Sequence, residues 1–369
     1  MNLPYLVNQD QDIENVFAMS TLGFRLQQAR KAGGHSLRSL AQWVAVSHAA
    51  IKKYEDGKVY PSSDILLKLA KALNVRIDHF FRPIQISLGE VKFRKRKKLA
   101  KKAEEAIKFD VLQQIERRFE LEQLYPDPPV SRFTLPFTLK HSVQSFDELE
   151  SIVQKLREHW KLGTAPIHDL IEAFESRGIR VFLTNSENPD FDGFSATIEN
   201  QPILVTSSRW PGDRQRFNLA HEFAHYFLEG KLGSHLNEEH ACHRFAGALL
   251  CPQEALYESV GQKRHRVEWQ ELILLKERFR LSIAALCYRL KDLHIISESH
   301  FNQLMITRSK NGWKNKEPGE PVLPEKAHAF TQLLFHALGE EYISESKAAE
   351  LLSCSLNHLK TLRAAVTHQ

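Results

Sequence analysis

Asn218-Leu-Ala-His221-Glu222-Phe-Ala-His225-Tyr-Phe-Leu228 is the stretch on which the reading of this chain turns. Apolar residues at Phe217, Leu219, Ala220, Phe223, Ala224, Phe227 and Leu228 give it the pattern of a buried helix. Gly212-Asp213 offers a start, with Asp213 as the expected N-cap. His221 and His225 lie four residues apart, so both leave one helix face about 6 Å apart along the axis. That spacing lets two imidazoles meet one metal ion. Glu222 follows the first histidine directly and falls beside such an ion, where a carboxylate can serve as general base toward coordinated water. The competing reading is a pair of hydrogen-bonded core histidines, since burial requires polar partners of one kind or another.

A third ligand must come from elsewhere. Leu228 and Lys231 stand where a metzincin would carry glycine and histidine, which excludes that class. Downstream, Leu236-Asn-Glu238-Glu239-His240-Ala-Cys242-His243-Arg-Phe245-Ala-Gly-Ala-Leu-Leu-Cys251-Pro252 reads as a second helix closed by Pro252. Its possible ligands are Glu238, Glu239, His240 and His243, with His235 just ahead of it. Glu239 precedes Cys242 by three and Ala246 by seven, which holds it near the apolar face and favours it, with Glu238 next. His240 and His243 read as surface or outer residues.

Leu-Ala-His-Glu-Phe-Ala-His, followed by Glu239-x-x-Cys-His-Arg-Phe-Ala-Gly-Ala-Leu-Leu-x-Pro, resembles the ImmA/IrrE family of metallopeptidases over roughly residues 135–305. Cys242 stands where that pattern usually has alanine. The resemblance implies His221, His225 and Glu239 as metal ligands, Glu222 as general base, zinc as the default ion with manganese or iron as substitutes, and a repressor or antitoxin-type protein as substrate.

The 369 residues suffice for two or three domains, and 42% apolar with 26% charged residues is ordinary for a globular protein. The net charge of +5 is modest. No apolar run is long enough to span a bilayer, and Met1 to Asp10 lacks the pattern of a signal peptide. The four cysteines are scattered, as expected of reduced thiols in a cytoplasmic protein.

Residues 1–18 are polar and read as poorly ordered. From Leu22 a helical pattern runs to Gly33-Gly34. Ser36 caps a short helix through Val44, and Ser47 caps His48 to Glu55, which Asp56-Gly57 ends. Two capped helices across a tight turn make a helix-turn-helix. Ser47-x-x-x-Ile51-x-x-Tyr54-Glu55-x-Gly57-x-x-x-Pro61 resembles the XRE/Cro-like repressors over residues 20–82, with Leu37 replacing a glutamine common in that family. The expected contacts to double-stranded DNA are Ser47, His48, Ala49 and Lys52 at base edges and Arg38 and Lys53 at phosphates, with a homodimer on a two-fold site. A helical bundle used only for protein contacts is the alternative.

The run from Val91 to Lys102 is basic and has three open readings: a solvated surface, added phosphate contacts, or another acidic partner. Ile84 to Leu88 reads as a strand or extended link, and Glu104 to Tyr125 as a long helix with an apolar stripe. Ser145-Phe-Asp-Glu148 is a capping box for a helix to Trp160. Pro166 to Ser176 predicts another helix, Ile179 to Leu183 a strand, and Phe194–Ile198 with Pro202–Thr206 a hairpin about Glu199-Asn200-Gln201. The Phe194–Ile198 strand is either an edge that takes an extended peptide or simply scaffold. Two helices between Trp269 and Leu290 with Ser282 as internal cap, a helix from Ile295 to Met305, and a Gly312–Pro324 loop follow. Ser344 to His358 faintly resembles a further helix-turn-helix, which packing explains equally well.

The fold expected is mainly α and multidomain: an all-α helix-turn-helix domain, then an α+β zincin-like (gluzincin-like) domain with a small sheet, then a C-terminal helical region. The expected boundaries are a flexible N-terminus at 1–19, the DNA-binding domain at 20–83, linker and long helix at 84–130, peptidase at 131–260 and helical domain at 261–369. The function implied is a zinc metallo-endopeptidase that regulates transcription by cutting a protein regulator. The alternative is a DNA-binding repressor or antitoxin whose zincin domain serves sensing or dimerisation.

Overall fold

Apolar residues spaced for helices outnumber those spaced for strands, and the computed structural model is accordingly mainly helical. It describes residues 21–82, 92–93, 99–129, 131–198, 200–314 and 316–364. The expectations for residues 1–18, for Ile84 to Leu88 and for half of the basic run fall outside the described residues. Contacts divide the chain into two units, Met1–Glu90 with Lys97–Glu120, and Val91–Arg96 with Leu121–Gln369.

The first unit opens with helix α1, over residues 21–32. α2 (Leu37–Val44), α3 (His48–Glu55), α4 (Ser63–Ala72) and a 3-10 turn (Ile77–Phe81) follow. Ser36, Ser47 and Ser62 cap the three α-helices, each accepting a backbone N–H from three residues on. Leu22, Leu26, Leu40, Val44, Ile51, Leu69 and Phe80 form the core. Gly23 allows a close crossing: a Cβ there would stand 2.5 Å from the Glu55 carbonyl. Arg30 clasps Glu55 through two nitrogens, at 2.5 and 2.9 Å. The long helix α5 (Lys101–Gln123) brings Glu116 to the buried Arg25.

In the second unit, β1 (Lys92–Phe93), β2 (Arg180–Thr184), β3 (Gly193–Ile198) and β4 (Gln201–Ser207) form one sheet in the order β1-β3-β4-β2. β3 and β4 make the expected hairpin, Asn200 taking a left-handed φ of 62°. β2 runs parallel to β4. Against the sheet lie α7 (Leu170–Glu175) and α8 (Gly212–Phe227), while α9 (Glu238–Leu250) packs on α8 and α6 (Glu148–His159) on α9. α10 (Gln253–Val260), α11 (Trp269–Phe279), α12 (Ile283–Asp292) and α13 (Glu298–Lys310) extend the same core. α14 (Ala329–Gly339), α15 (Glu345–Leu351) and α16 (Leu356–Ala364) close a separate small core over Leu121 and Tyr125.

Several ends differ from their sequence expectation. α8 is entered from Pro211, so Asp213 is not the N-cap. Its first N–H, on Gly212, donates instead to the Val322 carbonyl at 2.8 Å, and Asp213 turns its carboxylate to the Arg214 N–H. α7 begins at Leu170 rather than Pro166. The Asp169 side chain caps it, while Arg216 takes the Ile167 and His168 carbonyls that a longer helix would need. α6 begins at Glu148: Ser145 Oγ accepts the Glu148 N–H at 3.3 Å, as the capping box predicts, but Glu148 reaches back to the Gln144 N–H at 3.1 Å rather than to that of Ser145. α13 begins at Glu298, where Ser297 caps it, which leaves Ile295 and Ile296 as buried loop residues.

Candidate functional site

α8 and α9 pack through aromatic rings, Phe227 on Phe245 at 5.3 Å and Phe223 on Phe245 at 6.1 Å. This contact sets the histidine face of α8 against the first turn of α9. His221, Glu222 and His225 are all buried. Asn237 caps α9 by accepting the His240 N–H at 2.9 Å, which puts Glu238 and Glu239 in the first turn, where the helix dipole favours carboxylates.

The two acids address different atoms. Glu239 lies 3.3 Å from Nε2 of His221 and 3.5 Å from Nε2 of His225. Glu238 instead lies 3.0 Å from Nδ1 of His225, and the Cys242 thiol stands 3.3 Å from the same nitrogen. With Nδ1–H donating to Glu238, the Nε2 lone pair of His225 faces His221 and Glu239. The two Nε2 atoms are 3.1 Å apart, so a proton or a cation must stand between them. Donors held about 2.0–2.1 Å from a tetrahedral ion lie about 3.3–3.4 Å from one another. The two Nε2 atoms, with Oε2 of Glu239 beside His221 and Oε1 beside His225, are close enough together for one small divalent ion to take both imidazoles and the carboxylate.

His243 also joins the group: it, His221 and Glu239 each offer a ligand atom within 4.8 Å of the others. Its ring lies 4.6 Å from that of His221 and stacks on Phe217. Sequence reading placed it on the outside, although it stands one turn beyond Glu239 on the same face of α9. That i, i+4 relation was the available signal. His235 is drawn away to the Gln144 carbonyl at 2.9 Å, and His240 faces Phe146.

Glu222 shares its helix turn with His221. Gly193 of β3 comes so close that a Cβ there would lie 3.5 Å from Cγ of Glu222 and 2.4 Å from the Val205 carbonyl. The sheet edge expected to receive a peptide is covered in part, since Lys92 and Phe93 pair antiparallel with Thr197 and Ala196. Among the described residues, no strand lies beside Gly193–Ser195 on that side. A cleft of about 1190 Å³ opens beside Glu239 and His243, with Trp210, Phe217, Tyr288 and Lys291 in its walls.

A buried brace fixes the pitch of α9. Glu150 of α6 accepts two hydrogen bonds from Arg289 of α12, at 2.5 and 2.6 Å, and one from Arg244 of α9 at 2.7 Å. Burial pushes the Glu150 carboxyl up, but the two guanidiniums outweigh it and hold the group below the usual carboxylate range.

In the first unit Ser47, His48, Ala49, Lys52, Lys53 and Arg38 are all exposed. Lys52 holds Asp56 at 2.6 Å, a bond that raises the lysine and lowers the acid. α3 thus presents small and polar side chains at its N-terminal end, as a helix entering a major groove requires.

The chain carries a helix-turn-helix segment and a segment similar to a peptidase family. Residues 21–79 match the family described as a helix-turn-helix domain, and residues 174–291 match a peptidase family described as an IrrE N-terminal-like domain. No match is found among curated proteins or among solved structures. No helix among the described residues is long and apolar enough to cross a membrane.

Proposed function

We propose that this chain is a metal-dependent endopeptidase that binds DNA through α3 and controls transcription by cutting a repressor- or antitoxin-type protein. The observation that carries the reading is the donor set: Nε2 of His221 and Nε2 of His225 3.1 Å apart, one oxygen of Glu239 3.3 Å from the first and the other 3.5 Å from the second, with Glu222 on the same helix turn. These three residues would hold the ion, zinc by default and manganese or iron by the same donors. Such an ion supplies Lewis acidity toward a peptide carbonyl and makes water nucleophilic near neutral pH.

The chain's own residues do the rest. Glu238, 3.0 Å from Nδ1 of His225, would accept a hydrogen bond from Nδ1–H and so orient Nε2 toward the ion. The Glu222 carboxylate accepts a proton from the attacking water and returns it to the departing amine nitrogen. His243, on the open side of the cluster, borders the cleft in which the substrate chain would lie. A DNA-bound homodimer would bring this site to regulators seated on the same operator.

The test is to express the chain with its genomic neighbours, as wild type and as Glu222→Gln. The expected result is a partner fragment that appears only with wild type, while the variant keeps its metal content and its DNA binding. Identical fragments from both proteins would end the peptidase reading.

A further inference from the structure

The turn between α2 and α3 is specified by three backbone positions: Ser36 as cap, Ala45 in the left-handed region at φ 58°, and Ser47 as the next cap. The same set recurs as Ser344, Ser353 at φ 53° and Ser355, a constant offset of 308 residues. The hydrogen bonds recur with it. Ser36 accepts the Ser39 N–H at 3.0 Å, and Ser344 that of Lys347 at 3.2 Å. Ser47 accepts the Ala50 N–H at 3.1 Å, and Ser355 that of His358 at 3.2 Å. Val46 donates to the Ala41 carbonyl at 3.0 Å, and Cys354 to that of Ala349 at 2.9 Å.

The preceding helix matches too, one residue out of step. Gly33 to Ala29 and His35 to Arg30 close the first helix, and Glu340 to His336 and Tyr342 to Ala337 close α14. The shift of one residue is absorbed by Ile343, which is buried. Packing agrees at the equivalent positions: Leu40 and Ala41 against Ala348 and Ala349, and Ile51 against Leu359, all buried.

We propose that α14–α16 form a second helix-turn-helix and that α16 is a second reading helix for double-stranded DNA. A similar turn elsewhere shows why the turn alone is insufficient. Arg280 at φ 55° and the Ser282 cap join α11 to α12 in the same way, but α12 buries Ile283, Leu286, Cys287, Arg289 and Leu290. The side of α12 left open, with Tyr288 and Lys291, already lines the cleft beside Glu239 and His243. α16 buries only Leu359 and exposes Asn357, His358, Lys360 and Thr361. These are the side-chain types that pair with base edges and phosphates, and α16 carries no acidic residue.

The electrostatics set how strongly it binds. Lys347, Lys360 and Arg363 face Glu340, Glu341, Glu345 and Glu350 across the bundle's sequence, and Lys347–Glu350 and Arg363–Glu345 are ion pairs. Few counterions are released on binding, so the bundle by itself binds weakly and with little salt dependence. It gains affinity by being tethered to a stronger binder, α3, through a raised effective concentration. The operator would then carry an element read by α3 and a second, separate element read by α16.

The test uses the full-length chain in a DNA selection from random sequence, followed by fluorescence anisotropy on the recovered sites. Two variants are compared with wild type: Asn357→Ala with Lys360→Ala on α16, and Lys52→Ala on α3. All three positions are exposed, so folding is not at stake. The α16 variant is expected to lose one of two recurring elements and about tenfold in affinity for the composite site, while it keeps the other element. Wild-type affinity and an unchanged set of recovered sequences would overturn the proposal. So would a photocrosslinker at Asn357 that captures protein and never DNA. If Lys52→Ala has no effect while the α16 variant loses binding, the reading of α3 fails and that of α16 stands.

Discussion

Removing the Glu238 carboxylate tests the outer half of the metal centre. Glu238 acts on His225 from behind, through Nδ1 at 3.0 Å. Carboxylates in that position orient the ring and raise its basicity, and their loss costs about 10- to 100-fold in metal affinity. Here the Glu238 side chain is 53% exposed, so solvent can replace part of the bond. The expected loss for Glu238→Ala is therefore at the lower end, about tenfold, or about 1.4 kcal/mol. Glu238→Gln keeps an oxygen acceptor for Nδ1–H and should lose less. Glu239→Ala removes a donor outright and should lose far more than either. A competition titration of zinc against a chromophoric chelator, at one pH and ionic strength, orders the four proteins. Wild-type affinity in Glu238→Ala would refute the tautomer argument. A loss in Glu238→Ala equal to that in Glu239→Ala would make Glu238 a ligand itself.

Glu150→Ala leaves the Arg289 guanidinium, 2% exposed, without its acid, and should cost about 3–5 kcal/mol in urea unfolding of the peptidase unit. The Glu150 carboxyl is lower in the folded chain than in the unfolded one. Its contribution is thus full above the unfolded value of about 4.3 and is lost as pH falls through the lower folded value. Wild type should therefore lose stability in acid more steeply than Glu150→Ala, and parallel curves would contradict the brace. Lys52→Ala should weaken operator binding about tenfold and change the preferred bases at one position, and a gel-shift titration with no change would remove α3 from the groove.

The elements most legible in the sequence are those whose determinants are local. Ser36, Ser47, Ser282 and the Asn200 turn act within three or four residues, so their helices and hairpin fall where the pattern predicts them. What failed was set by distant partners. Asp213 is a sound N-cap by its own chemistry, but a strap more than a hundred residues away supplies the Val322 carbonyl that takes the helix's first N–H. Arg216 shortens α7 in the same way, holding carbonyls that belong to the segment before it. A reading by local propensity has no access to either.

The metal centre divides along the same line. The pair His221 and His225 is a matter of helical spacing on one element, and it was readable. The third donor depends on how α9 is turned about its own axis against α8, and successive residues there point about 100° apart. Glu238 and Glu239 are chemically identical and equally well placed at a helix start, so only spacing favours one of them, Glu239 standing three before Cys242 and seven before Ala246. The structure separates them by giving each a different nitrogen of the same imidazole: Nδ1 to Glu238, the Nε2 side to Glu239. That rotation is held by Arg244 on Glu150 and by the buried Cys242, Phe245, Ala246 and Leu249. His243 reads from the sequence as a surface or outer residue. It is exposed, on the face of α9 that carries Glu239, and its ligand atom comes within 4.8 Å of those of Glu239 and His221.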